Sequence, residues 1–213
     1  MVVMVAHAGA MIETAALLSA FVTMFVVIDP IGLTPMFIAL TAGTDTAHRR
    51  IVALRACVIA AILLTIFGLI GETLLTAIGI TMPAFQIAGG ILLFLTALDM
   101  LFERRTQRRA GHAGAVPDPS VFPLAMPLIA GPGAMASMIL LVGQTPDWAG
   151  TGAVLLVMIA VVVIAFVLFL FATPLERVLG PTGTMVVTRL LGMLLAALSV
   201  QFVLNGAQGA GII

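Results

Sequence analysis

The sequence predicts an all-α membrane protein: six transmembrane helices in two inverted three-helix repeats, with the first and fourth helices broken at Pro/Gly motifs. Three observations lead there. The composition is that of a lipid-solvated chain, the arginines recur only in alternate loops, and a pair of prolines in the first span returns in the fourth.

Of 213 residues, 62% are hydrophobic and 8% charged, with a mean hydropathy of +1.27; a soluble domain is about a quarter charged. The formal net charge is zero, so nothing favours a nucleic-acid partner. The single cysteine, Cys57, excludes an internal disulfide and reads as a small buried thiol. The opening MVVMVAHAGAMIET has no basic stretch. It therefore reads as a short non-cytoplasmic lead-in and not as a cleaved signal peptide.

Crossing a bilayer takes about 20 apolar residues. Six segments qualify, at roughly 14–41, 50–70, 83–102, 121–143, 151–173 and 186–206. The chain reads as one transmembrane domain, with repeat one at about 14–102, a cytoplasmic linker at about 103–120 and repeat two at about 121–206. Arg49, Arg50 and Arg55 flank the first loop, Arg104, Arg105, Arg108 and Arg109 fill the third, and Arg177 and Arg189 flank the fifth. By the positive-inside rule these loops are cytoplasmic and both termini lie outside. Asp45, in GTDTAH, is placed to cap the second span.

Pro30 and Pro35 are matched by Pro127 and Pro132, 97 positions later, and FQIAGGILLFLTALDM resembles TRLLGMLLAALSVQF, with Gly89 opposite Gly192. Three crossings per unit force the second to be inverted. Inverted repeats with interrupted helices point to a secondary transporter whose site lies near the midplane.

Proline lacks a backbone N–H and clashes with the carbonyl four residues back, so the stretch from Pro30 to Pro35 is expected to unwind, as is VFPLAMPLIAGPGAMAS. Freed backbone groups at membrane depth must face protein or a water-filled cavity. Helix N-terminal ends attract carboxylates and C-terminal ends attract ammonium groups, so two such junctions suit a zwitterion. Asp29 is the acid deepest in a span. It is expected to bind the substrate ammonium, carry a coupling proton, or cap the break, and Asp29→Asn to abolish transport from folded protein. Asp99 is a second coupling candidate, with an interfacial structural role as its alternative. Around the breaks, the candidate binding residues are Asp29, Pro30, Gly32, Thr34, Pro35, Pro127, Gly131, Pro132 and Gly133. Gln201 and Asn205 are polar residues on an apolar helix and join them as cavity-lining candidates. His7, His48 and His112 sit outside the spans with no ligand spacing, so no metal and no cofactor is expected. Neither a G-x-S-x-G elbow nor a P-loop is present, and the chain reads as no enzyme.

DPIGLTPMF, FQIAGGILLFLTALDML, VFPLAMPLIAGPGAM and VQFVLNG together resemble the MarC family of bacterial and archaeal inner-membrane proteins over about residues 15 to 208. LysE-type amino-acid exporters form a wider related group. The resemblance implies a six-span inner-membrane protein and, from some members, transport of small neutral amino acids such as glycine and alanine. The family's motif positions fall on Asp29, Pro30, Gly32 and Pro35, and on Pro127, Gly131, Pro132 and Gly133. Where the family commonly places Asn after the glycine of DPxG, this chain has Leu33 and Thr34.

The expected function is therefore a secondary transporter, exporting or exchanging small neutral amino acids and coupled to a proton or sodium ion. A membrane scaffold or stress-linked protein is the alternative, and it has no need of paired breaks. A channel or metal-ion exporter ranks lowest, because it would want several deep carboxylates. Lipid is the surrounding partner, and glycines on helix faces permit a homo-oligomer.

Overall fold

The computed structural model describes residues 2–102, 119–145 and 147–213. Every element among them is a helix: α1 Val2–Ile28, α2 Pro30–Leu40, α3 Thr46–Ala77, α4 Met82–Leu101, α5 Ser120–Ile129, α6 Pro132–Gly143, α7 Trp148–Leu170 and α8 Ala172–Gly209. Among the described residues, five stretches are long and apolar enough to cross a membrane: Thr14–Leu40, Thr46–Ala77, Met82–Leu101, Trp148–Leu170 and Thr182–Gly209. The α5–α6 pair, bent by 55°, makes a sixth if it is counted as one span. Most of the expected linker, 103–118, lies outside the described residues.

The long spanning helices are largely apolar all round, yet bury one stripe, whereas the short α6 is buried on nearly every side. In α3 the buried positions are Val52, Ala53, Ala56, Cys57, Ala60, Leu64, Gly68, Gly71 and Leu75, the three-and-four spacing of a single helix face. The opposite face exposes Leu54, Val58, Ile62, Ile66 and Ile70. Such continuous exposed apolar surface is unstable in water and fits contact with lipid tails. At 32 residues and 1.5 Å rise per residue, α3 is about 48 Å long. That exceeds a hydrocarbon core of about 30 Å, so α3 tilts or protrudes.

Starts and stops follow local chemistry. Asp45 accepts a hydrogen bond from the His48 N–H at 2.7 Å, the cap read from sequence, and Asp147 does the same for Gly150 at 2.8 Å ahead of α7. The expected fifth loop is instead helical and belongs to α8, interrupted at Gly180 (φ 61°), where the absence of a Cβ permits a left-handed turn. The lead-in before Thr14 is also helical, as the first half of α1.

α4 and α8 approach closely through glycine. A Cβ on Gly90 would stand 2.8 Å from the Ser199 carbonyl oxygen, and one on Gly206 would stand 2.9 Å from that of Pro83. Backbone cannot retreat as a flexible side chain can. Gly90→Ala and Gly206→Ala should therefore each destabilise the protein by about 1–3 kcal/mol, read as a lower melting temperature in detergent. Gly192 packs on α4 at Met100 and Ala97, whereas Gly89 faces Leu140 and Ala136 of α6. Its neighbour Gly90 is thus the α4 glycine that faces α8.

Candidate functional site

Two helix junctions lie inside the bundle, and they are built differently. At the first, the interruption is one residue wide. Asp29 adopts φ 53°, ψ 61°, and helical bonds run into and out of it: Asp29 N–H to Phe25 O at 2.9 Å and Leu33 N–H to Asp29 O at 3.0 Å. Its carboxylate Oδ1 accepts from the Gly32 N–H at 3.0 Å, and a Cβ on residue 32 would collide with that carboxylate. Pro30 is the first residue of α2, where a missing N–H leaves no bond unmade.

The expectation that residues 30 to 35 unwind is corrected here: Pro35 lies within helix α2. The physical reason is that the capped start at Pro30 nucleates the helix, while tertiary packing holds the turn containing Pro35. Thr34 Oγ1 donates to Pro30 O at 3.1 Å, and Phe37 stacks on Phe169 of α7 with centroids 4.7 Å apart.

The second junction is wider. Phe122 and Met126 take extended angles inside α5 (φ/ψ −130°/125° and −128°/124°). The segment is closed by five-residue hydrogen bonds, Leu124 N–H to Pro119 O at 3.2 Å and Ala130 N–H to Ala125 O at 2.9 Å. Pro123 and Pro127, both preceded by cis peptide bonds, remove the donors an α-helix would need there. α6 then starts at Pro132 behind Gly131, and no side chain caps it. The caps on α2, α3, α4 and α7 are supplied by Asp29, Asp45, Thr81 and Asp147. α5 and α8 also start without a side-chain cap, but of the three uncapped starts the one at Pro132 lines a cavity, and the first N–H groups of a helix have no intrahelical acceptor.

That uncapped start opens on a cavity of about 180 Å³. Gly131, Pro132, Gly133 and Ala134 form one wall, Pro127 to Ile129 another, and Val27 of α1 with Thr96 and Asp99 of α4 close it. Sites for drug-sized ligands run to about 300–1,000 Å³, so this one suits a molecule of a few heavy atoms. One wall carries the positive end of a helix and another a carboxylate. Two more open clefts, about 300 and 520 Å³, flank Glu72 near the far ends of α3 and α6. Neither includes a residue of the Pro/Gly motifs.

A family model described as "MarC family integral membrane protein" matches residues 14–211. This chain belongs to the MarC family. A membrane protein of Aquifex aeolicus is 36% identical over 195 residues, covering 89% of this chain and 91% of that protein. One from Archaeoglobus fulgidus is 38% identical over 192 residues, with 88% and 90% covered. The inner membrane protein YhgN of Escherichia coli is 31% identical over 195 residues, with 90% and 96% covered. No solved structure matches the chain. This MarC chain is thus a multi-pass integral membrane protein.

Of the residues singled out in the MarC sequence, the cavity gathers Asp99, Pro127, Gly131, Pro132 and Gly133. Asp29, Pro30 and Thr34 are buried at the α1–α2 junction, with Gly32 and Pro35 partly buried beside them, and none of the five lines the cavity. Gln201 and Asn205 are exposed on α8, where Gln201 Nε2 donates to Asn205 Oδ1 at 2.7 Å. The polar residues expected to line a cavity there instead are exposed and joined by one hydrogen bond, four positions apart on one helix face. Thr96 and Val27 were not singled out. Thr96 stands three positions before Asp99, a spacing that puts both on one face of α4, and that was the available signal. Val27 carried none.

Proposed function

We propose that this protein is a secondary transporter of small neutral amino acids, of the size of glycine and alanine, in the cytoplasmic membrane. The observation carrying this reading is the cavity at the start of α6. The backbone N–H groups of Gly133 and Ala134 sit in the first turn of an uncapped helix, where a carboxylate is stabilised by the helix dipole and by direct hydrogen bonds. Asp99 lines the same small space and is the partner for an ammonium group. An α-amino acid carries both charged groups on one α-carbon, and a cavity of about 180 Å³ favours a short side chain. On this reading Asp99, not Asp29, holds the ammonium and is the coupling group for a proton or sodium ion.

Internal symmetry supports alternating access. Pro30 and Pro132 each open a helix, Asp45 and Asp147 each cap the next one, and Gly90 and Gly192 each face the other unit's third span. All three pairs stand 102 positions apart, so Pro132 is the better counterpart of Pro30 than Pro127 is. Two units of three spans, related in this way and inverted, would rock about the cavity. The equivalent helix starts differ in one respect: Asp29 seals the first, and the second is left open to a ligand. The arginine-bearing loops are assigned to the cytoplasm and both termini to the outside.

The test is uptake of labelled alanine and glycine into proteoliposomes, with and without an imposed proton or sodium gradient. Saturable uptake that one gradient accelerates is expected. No uptake under any gradient, from protein shown to be folded, would sink the assignment.

A further inference from the structure

Among the described residues, one fully buried side-chain oxygen has no hydrogen-bond partner: the hydroxyl of Ser137 in α6. Unpaired buried groups of this kind are few in a native protein, and each calls for a physical reason. A helical Ser or Thr usually satisfies itself on the carbonyl one turn back, as Thr34, Thr41, Thr76 and Thr96 do here. Ser137 does not.

Its position suggests why. Gly133 and Ala134 line the cavity, and Ser137 follows them by four and three positions, so it lies on the same helix face one turn deeper. A Cβ on Gly133 would touch Leu93 of α4 and Val27 of α1, and Ala136 and Leu140 face α4 at Gly89. Met138 and Ile139 turn the other way, onto Gly68 and Gly71 of α3. The Ser137 side chain therefore belongs to the seam between α1, α4 and α6 that begins at the cavity and runs into the bundle. Thr23, also buried, lies one turn back from Val27 on α1.

We infer that the ligand site extends along this seam, and that the Ser137 hydroxyl donates to the carboxylate of the solute after it leaves the α6 N-terminus. The inference rests on the amino-acid reading for the identity of the solute, but not for the existence of the extended path. A hydroxyl kept without an intramolecular partner is free to make that bond without first breaking another.

The test uses two Ser137 variants and one control in the full-length protein. Ser137→Ala should remain folded with an undiminished melting temperature, since no internal bond is lost, while the half-saturation concentration for alanine uptake rises about tenfold, the scale of one hydrogen bond. A higher melting temperature with unchanged half-saturation would overturn the inference, because the hydroxyl would then be only an unsatisfied core group. In a Cys57→Ala background, which removes the sole native thiol, Ser137→Cys should react with a small water-soluble thiol reagent and be protected by saturating alanine. Thr96→Cys, on the cavity wall, serves as the reachable control. Reaction at Thr96→Cys without reaction at Ser137→Cys overturns the extended path. Reaction at Ser137→Cys in a protein that moves no amino acid leaves the path standing and removes the amino-acid reading.

Discussion

Asp99→Asn protein should reach the membrane folded and in normal yield, yet take up alanine on the order of a hundredfold more slowly than wild type. The substitution keeps size and shape, removes the charge and turns one acceptor oxygen into an NH2 donor. A hydrogen bond to a charged partner contributes about 1.5–3 kcal/mol, and each 1.4 kcal/mol is a factor of about ten. Among the described residues lining the cavity Asp99 is the one acid, so none of them offers a second carboxylate to take over. Asp29→Asn in parallel should retain most of the uptake: the amide oxygen can still accept from Gly32, and Asn tolerates left-handed angles. Uptake by Asp99→Asn within a few-fold of wild type, alongside loss in Asp29→Asn, would return the ammonium site to the α1–α2 junction. Measuring initial rates at several alanine concentrations separates lost binding from lost turnover.

Asp29 should instead dominate stability. Asp29→Leu places a γ-branched apolar side chain at φ 53°, where a residue other than glycine, Asn or Asp costs about 1–2 kcal/mol. It also deletes the cap on Gly32, which contributes about 0.5–2 kcal/mol. The sum, about 1.5–4 kcal/mol, should lower the melting temperature in detergent by several degrees or reduce folded yield. Asp29→Gly separates the two causes. It adopts the angle freely but supplies no side-chain acceptor, so it should fall between Asn and Leu. If Leu melts with wild type, the left-handed junction is not under the strain assigned to it. The same variants tell a structural carboxylate from a transporting one: loss of uptake that follows loss of folded protein belongs to stability.

Much of this protein was legible in its sequence, because in lipid the constraints on a chain are few and severe. Every backbone polar group must be satisfied within the spans, so runs of about 20 apolar residues announce helices: the span expected at 50–70 lies inside α3, and that at 83–102 matches α4 to within one residue at each end. The cap at Asp45 followed from local chemistry alone. The Pro/Gly motif around residue 131 announced an interrupted helix because proline's missing donor is a covalent fact. What composition and spacing could not decide is which interruption is filled and which is open. Pro30 and Pro132 are the same residue in the same role, but the residue before each differs: Asp29 turns its carboxylate onto Gly32, and Gly131 has nothing to turn. Only the packed bundle brings Asp99 of α4 to that second start, and only the packed bundle sends Gln201 and Asn205 outward. Periodicity marks which residues share a face. Which face meets lipid, a neighbouring helix or a cavity is fixed by contacts between helices far apart in the chain.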